Sequence, residues 1–581
     1  MGGSLMSSYN ISKKTVIVLV ITVISGFFLY NIAPPDIEPG EYTAELMIET
    51  PSITLNCRLN LTMVESGDIE RETYHYVGQA TNITVTATTV VPIAPDSPIR
   101  FEIDANGVNI RADSISIHFT GDSGLDETLR PTRQEGQTFI IEYQPLVRSK
   151  AAVMILGVVA ILWFSEGISL VATSVLIPTL IVLTDIGTPT SAFAPFFSPA
   201  VALIFGGFLI GRALSKYELD KRLALMILSR SSGSGSGLLI TVMGVTSFLS
   251  MWISNTASAA IMIPIALAVI SRIQNSEIRN KYGKALVLGV AYSATIGGVA
   301  SLVGSPPNPL AATYINSFLG IEFNFISWIP YGLPVVLIML PLIWQWLMFR
   351  FKIPKDIEEI KSLKNISEKE YLKLGPMTTQ QKLVVVVFSS VVLLWLTEGY
   401  HGISSSIVAV MGGLALLVLR LVDETDVSSE ISWSSLLILG SGIVLGNAMI
   451  DTGVSAHLAF QMTSLGMFPA LLIVVIIGAI AVLLTMVASN TGAAVILIPI
   501  AIPLATSLGM DPLLLTMVIA IGVSMDFALP TGTPPSTIAY STGEVEMNEM
   551  VSTGLVIDLV ATLVLTVVVV WIWRLLGLVV F

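Results

Sequence analysis

Ser250-Met-Trp-Ile-Ser-Asn-Thr-Ala257 sets three hydrogen-bonding side chains in a row inside an apolar stretch, and Ser489-Asn490-Thr491 repeats that triplet. The offset from Ser254 to Ser489 is 235 residues, and each triplet is followed by Ile-Pro-Ile-Ala, at 263–266 and 498–501. The serine-to-proline spacing is ten in both copies. Other segments repeat in the same order. Gly304-Ser305-Pro306-Pro307 returns as Gly532-Thr533-Pro534-Pro535. Trp163-Phe-Ser-Glu166-Gly returns as Trp395-Leu-Thr-Glu398-Gly, and Gly207-Phe-Leu-Ile-Gly211 returns loosely between Gly442 and Gly446. Four elements in one order at nearly one period define two homologous halves. An odd number of helices in each half would invert the second against the first, and inverted repeats with discontinuous helices are a transporter signature.

Composition agrees. Of 581 residues, 53% are hydrophobic and 12% charged, where a soluble domain is about a quarter charged. That excludes an ordinary soluble enzyme and indicates an all-α polytopic membrane protein. A net charge of −12 excludes a basic nucleic-acid binder. The single cysteine, Cys57, permits neither an intramolecular disulfide nor a cysteine metal cluster, and four histidines argue against a His-rich metal site. No Gly-x-x-x-x-Gly-Lys pattern occurs, so transport would draw on ion gradients.

The charge is concentrated. Residues 36–148 hold 18 acidic residues, 7 arginines and no lysine, a balance of −11. They contain no apolar run long enough to cross a bilayer. Period-two alternation at 82–91 and 114–119 predicts strands. This stretch therefore reads as a small β-rich domain, sandwich-like, inserted after a first apolar helix that runs from Thr15 to about Ile32. That helix is read as retained, since no small-residue cleavage site follows it. Lys13 and Lys14 before it predict a cytoplasmic N-terminus, which puts the acidic domain outside the cell. Asn60-Leu-Thr and Asn82-Ile-Thr would then be sequons on the exported face, and His75 and His118 read as ordinary side chains of that domain.

From residue 151 onward, helices are predicted near 151–164, 168–186, 199–214, 236–252, 285–303, 326–349, 383–398, 403–421, 435–450, 513–529 and 554–573, about 11 spans in all. Two further pieces, 253–270 and 470–507, read as broken. The domain reading is 1–35 for the N-terminus and first helix, 36–148 for the acidic domain, 149–350 for the first repeat, 351–381 for a cytoplasmic linker and 382–581 for the second repeat. Arg212, Lys216, Lys221, Arg222 and Arg230 fall on the expected cytoplasmic side, as do Arg272 to Lys284 and the lysine-rich linker. Arg574 is an exception.

Polar groups at membrane depth are costly. Ser, Asn and Thr compete for backbone hydrogen bonds and favour caps and turns over helix interiors. Each triplet is therefore expected at the tip of a re-entrant hairpin, where non-helical backbone is tolerated because it lines a cavity. The open N–H groups of the following half-helix attract an anion. Carbonyl oxygens and the asparagine oxygen suit a hard cation such as Na⁺. The Gly-Ser/Thr-Pro-Pro copies form a second pair of breaks, where proline frees carbonyls. Helix-packing glue is the bland reading of a single triplet, and duplication with a proline break favours binding. Glu166 and Glu398 read as structural carboxylates. Asp526 and Asp558 are ambiguous.

Ser250–Ala257, Leu302-Val-Gly-Ser-Pro-Pro-Asn308, Trp163-Phe-Ser-Glu-Gly-Ile168 and the second Ser-Asn-Thr together resemble the divalent-anion/sodium symporter family of the ion transporter superfamily. The likeness spans Ala151 to the C-terminus plus the first helix, and the acidic insert lies outside the usual pattern. The resemblance implies two sodium sites flanking one substrate. One Na⁺ would be held by Ser250, Ser254, Asn255 and Gly304, the other by Thr485, Ala488, Asn490 and Gly532. Substrate carboxylates would meet Ser254, Asn255, Thr256, Ser305, Ser489, Asn490, Thr491 and Thr533. The family usually carries Asn after the second Thr-Pro-Pro, where this chain has Ser536. The resemblance also implies a homodimer and elevator-type movement of the site past a fixed scaffold.

No Lys or Arg occurs between Arg230 and Arg272, between Lys284 and Arg350, or between Arg420 and Arg574. Sequence distance thus leaves no fixed cation near either tip. Burying an unpaired dianion is expensive, and helix N-termini return only about 0.3–2 kcal/mol each. Mobile cations would supply the balance for the anionic substrate that the resemblance implies, which favours cation symport over plain anion exchange; with the resemblance, the expectation is sodium symport of a divalent anion at the plasma membrane. C4-dicarboxylates rank ahead of citrate and sulfate. A sodium-independent or proton-coupled exchanger is the alternative within the class, and a membrane sensor using the acidic domain is the alternative outside it.

Overall fold

The computed structural model describes eight strands between residues 40 and 143, and residues 148–165, 168–230, 234–354 and 371–580, together with isolated positions of the first apolar run. The expected first helix, His75, Asn82, Glu166 and most of the charged linker lie outside the described residues.

The chain divides into two compact units. The first takes residues 1–167, 176–192 and 445–462; the second takes 168–175, 193–444 and 463–581.

In the first unit the strands are β1 Gly40–Thr50, β2 Ile53–Met63, β3 Thr84–Thr88, β4 Ile99–Asp104, β5 Ile115–Gly121, β6 Asp126–Leu129, β7 Arg133–Glu135 and β8 Thr138–Tyr143. They form two four-stranded sheets, ordered β2-β1-β5-β6 and β3-β4-β8-β7, with every pairing antiparallel. β1 pairs with β2 along its whole length, from Gly40 opposite Met63 to Thr50 opposite Ile53. The helix Ser149–Ser165 follows. Its buried residues Ala152, Ile155, Val159 and Leu162 recur at spacings of three and four, which puts them on one face.

The second unit is helical. Among the described residues of the whole chain, eight helices are long and apolar enough to cross a membrane. Their outward faces stay apolar: Leu337, Leu393, Leu483 and Leu559 are each more than 60% exposed. Side chains of that kind suit hydrocarbon rather than water. Small residues allow close helix contacts. A Cβ on Gly206 would strike the backbone of Ala409, and one on Gly413 would strike Leu209, so helices Pro199–Lys216 and Ser405–Val418 pack almost backbone to backbone.

Eight helices of this unit carry the repeated motifs. They are α1 Gly235–Ser250, α2 Asn255–Ile270, α3 Ser276–Gly297, α4 Pro307–Leu319, α5 Ala470–Val487, α6 Asn490–Ser507, α7 Pro512–Gly522 and α8 Pro534–Ser541. The pairs α1/α2 and α5/α6 are the two expected hairpins, with turns at 251–254 and 488–489. Both second arms run through their prolines, Pro264 in α2 and Pro499 in α6. Two expectations need correction. The helix expected over 285–303 stops at Gly297, followed by a short 3₁₀ turn, and the one expected over 513–529 stops at Gly522. Apolarity continues past both ends, but the chain there is extended or turning. New helices then begin at Pro307 and Pro534, where proline suits the first helical turn because no N–H is needed.

Candidate functional site

The two hairpin tips share one local structure. Ser254 caps α2 with φ −62° and ψ 150°, and its hydroxyl accepts from Ala257 N at 3.2 Å. Ser489 caps α6 with φ −65° and ψ 148°, and accepts from Gly492 N at 3.1 Å. Serine is a preferred N-cap because its oxygen satisfies one of the first four open donors. The amides of Asn255, Thr256, Asn490 and Thr491 stay without an intrahelical partner, as the first turn of any helix requires.

Behind the first tip, oxygens converge. Ser250 is fully buried at the end of α1 and donates to Ala294 O in α3 at 2.6 Å. The inward atom of the Asn255 side-chain amide lies 2.6 Å from Ser250 Oγ, 3.1 Å from Ala294 O and 3.2 Å from Gly304 O. With nitrogen inward, the amide donates to these acceptors. With oxygen inward, Asn255 Oδ1, Ser250 Oγ and two carbonyls make a cluster of four oxygens. That is the donor set a hard monovalent cation takes, and turning the amide switches between the two. A Cβ on Gly298 would collide with Asn255 Oδ1 and the Gly304 carbonyl, so glycine is what leaves the cluster open. The break is held from outside by Trp328, whose Nε1 donates to Val299 O at 2.8 Å.

The second tip repeats the pattern. Thr485, buried near the end of α5, donates to Val523 O at 2.7 Å and to Asn490 Oδ1 at 2.9 Å. Ala488 is extended at φ −104° and ψ 164°. Gly532 packs against the Asp526 carboxylate. Ser250, Asn255 and Gly304 are thus brought together, as are Thr485 and Asn490. Ser254 and Ala488 belong to the turns themselves.

The second set of breaks links the halves. Ser305 Oγ lies 3.1 Å from Ser524 Oγ, and Thr295 Oγ1 lies 3.4 Å from Thr533 Oγ1. Thr533 also caps α8, accepting from Ser536 N and donating to Ser536 Oγ at 2.9 Å. Asn308 Nδ2 donates to Gly298 O at 3.0 Å and Ser301 O at 2.7 Å, which ties the first break shut on itself. Ser305 and Thr533 are buried, Ser254, Asn255, Ser489, Asn490 and Thr491 are half-buried, and Thr256 is exposed.

One charge expectation needs correction. Arg212 lines a cavity of about 190 Å³ together with Ser254, Gly207, Gly211, Trp252 and Val303. A fixed cation therefore does reach the surroundings of the first tip, which sequence separation concealed. Its charge is already matched. Arg212 pairs with Asp426 at 2.8 Å and Glu430 at 3.4 Å, and Lys216 bonds Asp423 at 2.9 Å and Asp426. The Lys216 hydrogen bond holds the Asp423 carboxyl below its ordinary range. Desolvation pulls the Asp426 carboxyl upward, but its bonds to Lys216 and Arg212 outweigh that and leave it lowered.

The carbonyls of Ala294 and Val523 escaped the sequence reading, because a backbone carbonyl carries no signature in side-chain identity. Glu398 accepts from Ser405 Oγ, in keeping with a structural carboxylate.

Residues 139–579 match the family model described as "Sodium:sulfate symporter transmembrane region". The chain belongs to this family, the divalent-anion/sodium symporters. An uncharacterized transporter of Haemophilus influenzae is 33% identical over 444 residues, covering 73% of this chain and 92% of its own. The sodium-dependent dicarboxylate transporter SdcS of Staphylococcus aureus is 30% identical over 434 residues, covering 71% and 83%. The crystal structure of the Alcanivorax borkumensis YdaH transporter aligns with 74% of this chain and 98% of its own at a TM-score of 0.47 and 11% identity. The protein is accordingly a multi-pass membrane transporter and not an enzyme.

Proposed function

We propose that the protein is a sodium-coupled symporter of divalent anions, with C4-dicarboxylates the preferred substrates. The four-oxygen cluster of Asn255, Ser250, Ala294 O and Gly304 O carries this reading, with its counterpart at Thr485, Asn490 and Val523 O. Na⁺ held at each tip fixes the asparagine with its oxygen inward. It also supplies the positive charge that the capped helices α2 and α6 lack. The anion then sits between the tips, against the open amides of both helices and the hydroxyls of Ser254, Thr256, Ser305, Ser489, Thr491 and Thr533. The likeness to the sodium-dependent dicarboxylate transporter of Staphylococcus aureus supports dicarboxylate as the anion class.

The wider reading follows the family. Residues 149–350 and 382–581 act as inverted repeats, with hairpins and broken helices completing about 11 spans. The two halves move the loaded site past a dimeric scaffold, as an elevator, in the plasma membrane. The N-terminus and linker 351–381 face the cytoplasm and residues 36–148 face outward. Uptake of labelled succinate into proteoliposomes, with and without an inward Na⁺ gradient, tests the coupling. Accumulation that ignores the Na⁺ gradient would overturn it.

A further inference from the structure

The two tips are not equivalent in charge. Counting back six residues from the glycine of each break gives Gly298 in the first half and Asp526 in the second. In the first half this position faces the oxygen cluster, since a side chain there would meet Asn255 Oδ1 and the Gly304 carbonyl. In the second half the position carries a side chain, and its carboxylate lies against Gly532. Asp526 is fully buried, and neither of its oxygens accepts a hydrogen bond of good geometry. No Lys, Arg or His pairs with it among the described residues.

The surroundings point the same way. Asp558 Oδ1 accepts from Phe527 N at 2.9 Å, while its Oδ2 has no partner. The Tyr292 hydroxyl is buried without a partner, within electrostatic reach of both carboxylates, and the Tyr292 ring packs on Phe527 at 5.4 Å. A buried carboxylate without a counter-charge is among the costliest groups a membrane protein can hold. Orphaned buried oxygens of this kind call for a physical reason, and a bound cation would answer both the missing partners and the missing counter-charge.

We propose that Asp526 is a carboxylate ligand of the cation held at the second tip, so that this site is anionic where the first is neutral. The inference rests on the sodium-coupled reading. The donor set is all oxygen, which selects a hard cation. The carboxylate gives the second site the higher affinity of the two.

Asp526→Asn removes the charge and keeps the shape. In proteoliposomes the Na⁺ concentration for half-maximal succinate uptake is expected to rise about 10–100-fold, as for loss of a ligand-shell group. The succinate KM at saturating Na⁺ should stay near the wild-type value. Na⁺-dependent thermal stabilisation of purified protein, measured with succinate present, should shift to higher Na⁺ by the same factor. An unchanged Na⁺ dependence in D526N, with wild-type uptake still requiring Na⁺, overturns this assignment alone and would leave Asp526 neutralised by a proton. Wild-type uptake that needs no Na⁺ overturns the underlying reading instead. If D526N is recovered only as aggregate, Asp526→Glu keeps the charge on a longer arm. A displaced Na⁺ midpoint in D526E supports the assignment, and a wild-type midpoint overturns it.

Discussion

Ser305 Oγ of the first half lies 3.1 Å from Ser524 Oγ of the second. The reciprocal contact, Thr533 with Thr295, spans 3.4 Å. The breaks therefore meet through hydroxyl pairs, and Thr533 serves both the pair and the cap of α8. Thr533→Val keeps the shape and removes the oxygen. It should destabilise the protein by about 1–2 kcal/mol through loss of the cap and of the Ser536 partner. A lowered unfolding midpoint, measured by scanning fluorimetry with detergent and protein concentration held constant, checks this.

Asn255 lies against the carbonyls of Ala294 and Gly304, and Asn490 accepts from Thr485, which also donates to Val523 O. Succinate and Na⁺ together should stabilise the wild-type protein against heat, and either alone should not. Asn255→Ala or Asn490→Ala should abolish that joint stabilisation while the protein still elutes as a monodisperse species. A thermal-shift screen with Na⁺ against K⁺ reads both outcomes.

Two adjacent glycines separate cation binding from folding. A methyl at Gly298 would occupy the space of the inward Asn255 amide atom, whereas one at Gly297 would strike the backbone of Ser247 in α1. Gly298→Ala should chiefly remove the response to Na⁺. Gly297→Ala should chiefly destabilise, by about 1–3 kcal/mol as overpacking does. Unfolding midpoints with succinate present, each with and without Na⁺, distinguish the two.

The Arg212, Lys216, Asp423, Asp426 and Glu430 cluster predicts a pH response. Both Asp423 and Asp426 have folded values lowered from the ordinary 3.8. Their contribution is present at neutral pH and is lost as pH falls below about 4 and through those lowered values. The double variant Asp423→Asn, Asp426→Asn should lose stability at pH 7 and show a shallower decline between pH 5 and pH 3 than wild type. Midpoints across that range at fixed salt test it.

Much of this site was legible in the sequence. The triplets announced themselves because polar residues inside apolar runs need a structural reason, and their recurrence with Ile-Pro-Ile-Ala fixed the pairing of the halves. The broken helices α3 and α7 were less legible. Hydropathy runs unbroken past Gly297 and Gly522, so apolarity alone extended both helices too far. Helices α4 and α8 start on prolines that read as breakers but serve as first-turn residues. Arg212 was misjudged for another reason: it lies more than forty residues from Ser254 in the chain, yet both line one cavity. Its neutralisation by Asp426 and Glu430 is a tertiary fact that no local pattern encodes.

The hydroxyl pairs joining the two breaks have a consequence for selectivity. Ser305 and Ser524 can each be the donor of their pair, whereas Thr295 and Thr533 already donate to Ala291 O and Ser536 Oγ. A C–O rotation at the serine pair redirects its proton with no side chain displaced. On the proposed function, an anion that met this serine pair would find donors that adapt to a planar carboxylate or a tetrahedral oxyanion equally well. Discrimination among guests would then fall to the span between the tips, a ruler for length more than a reader of shape.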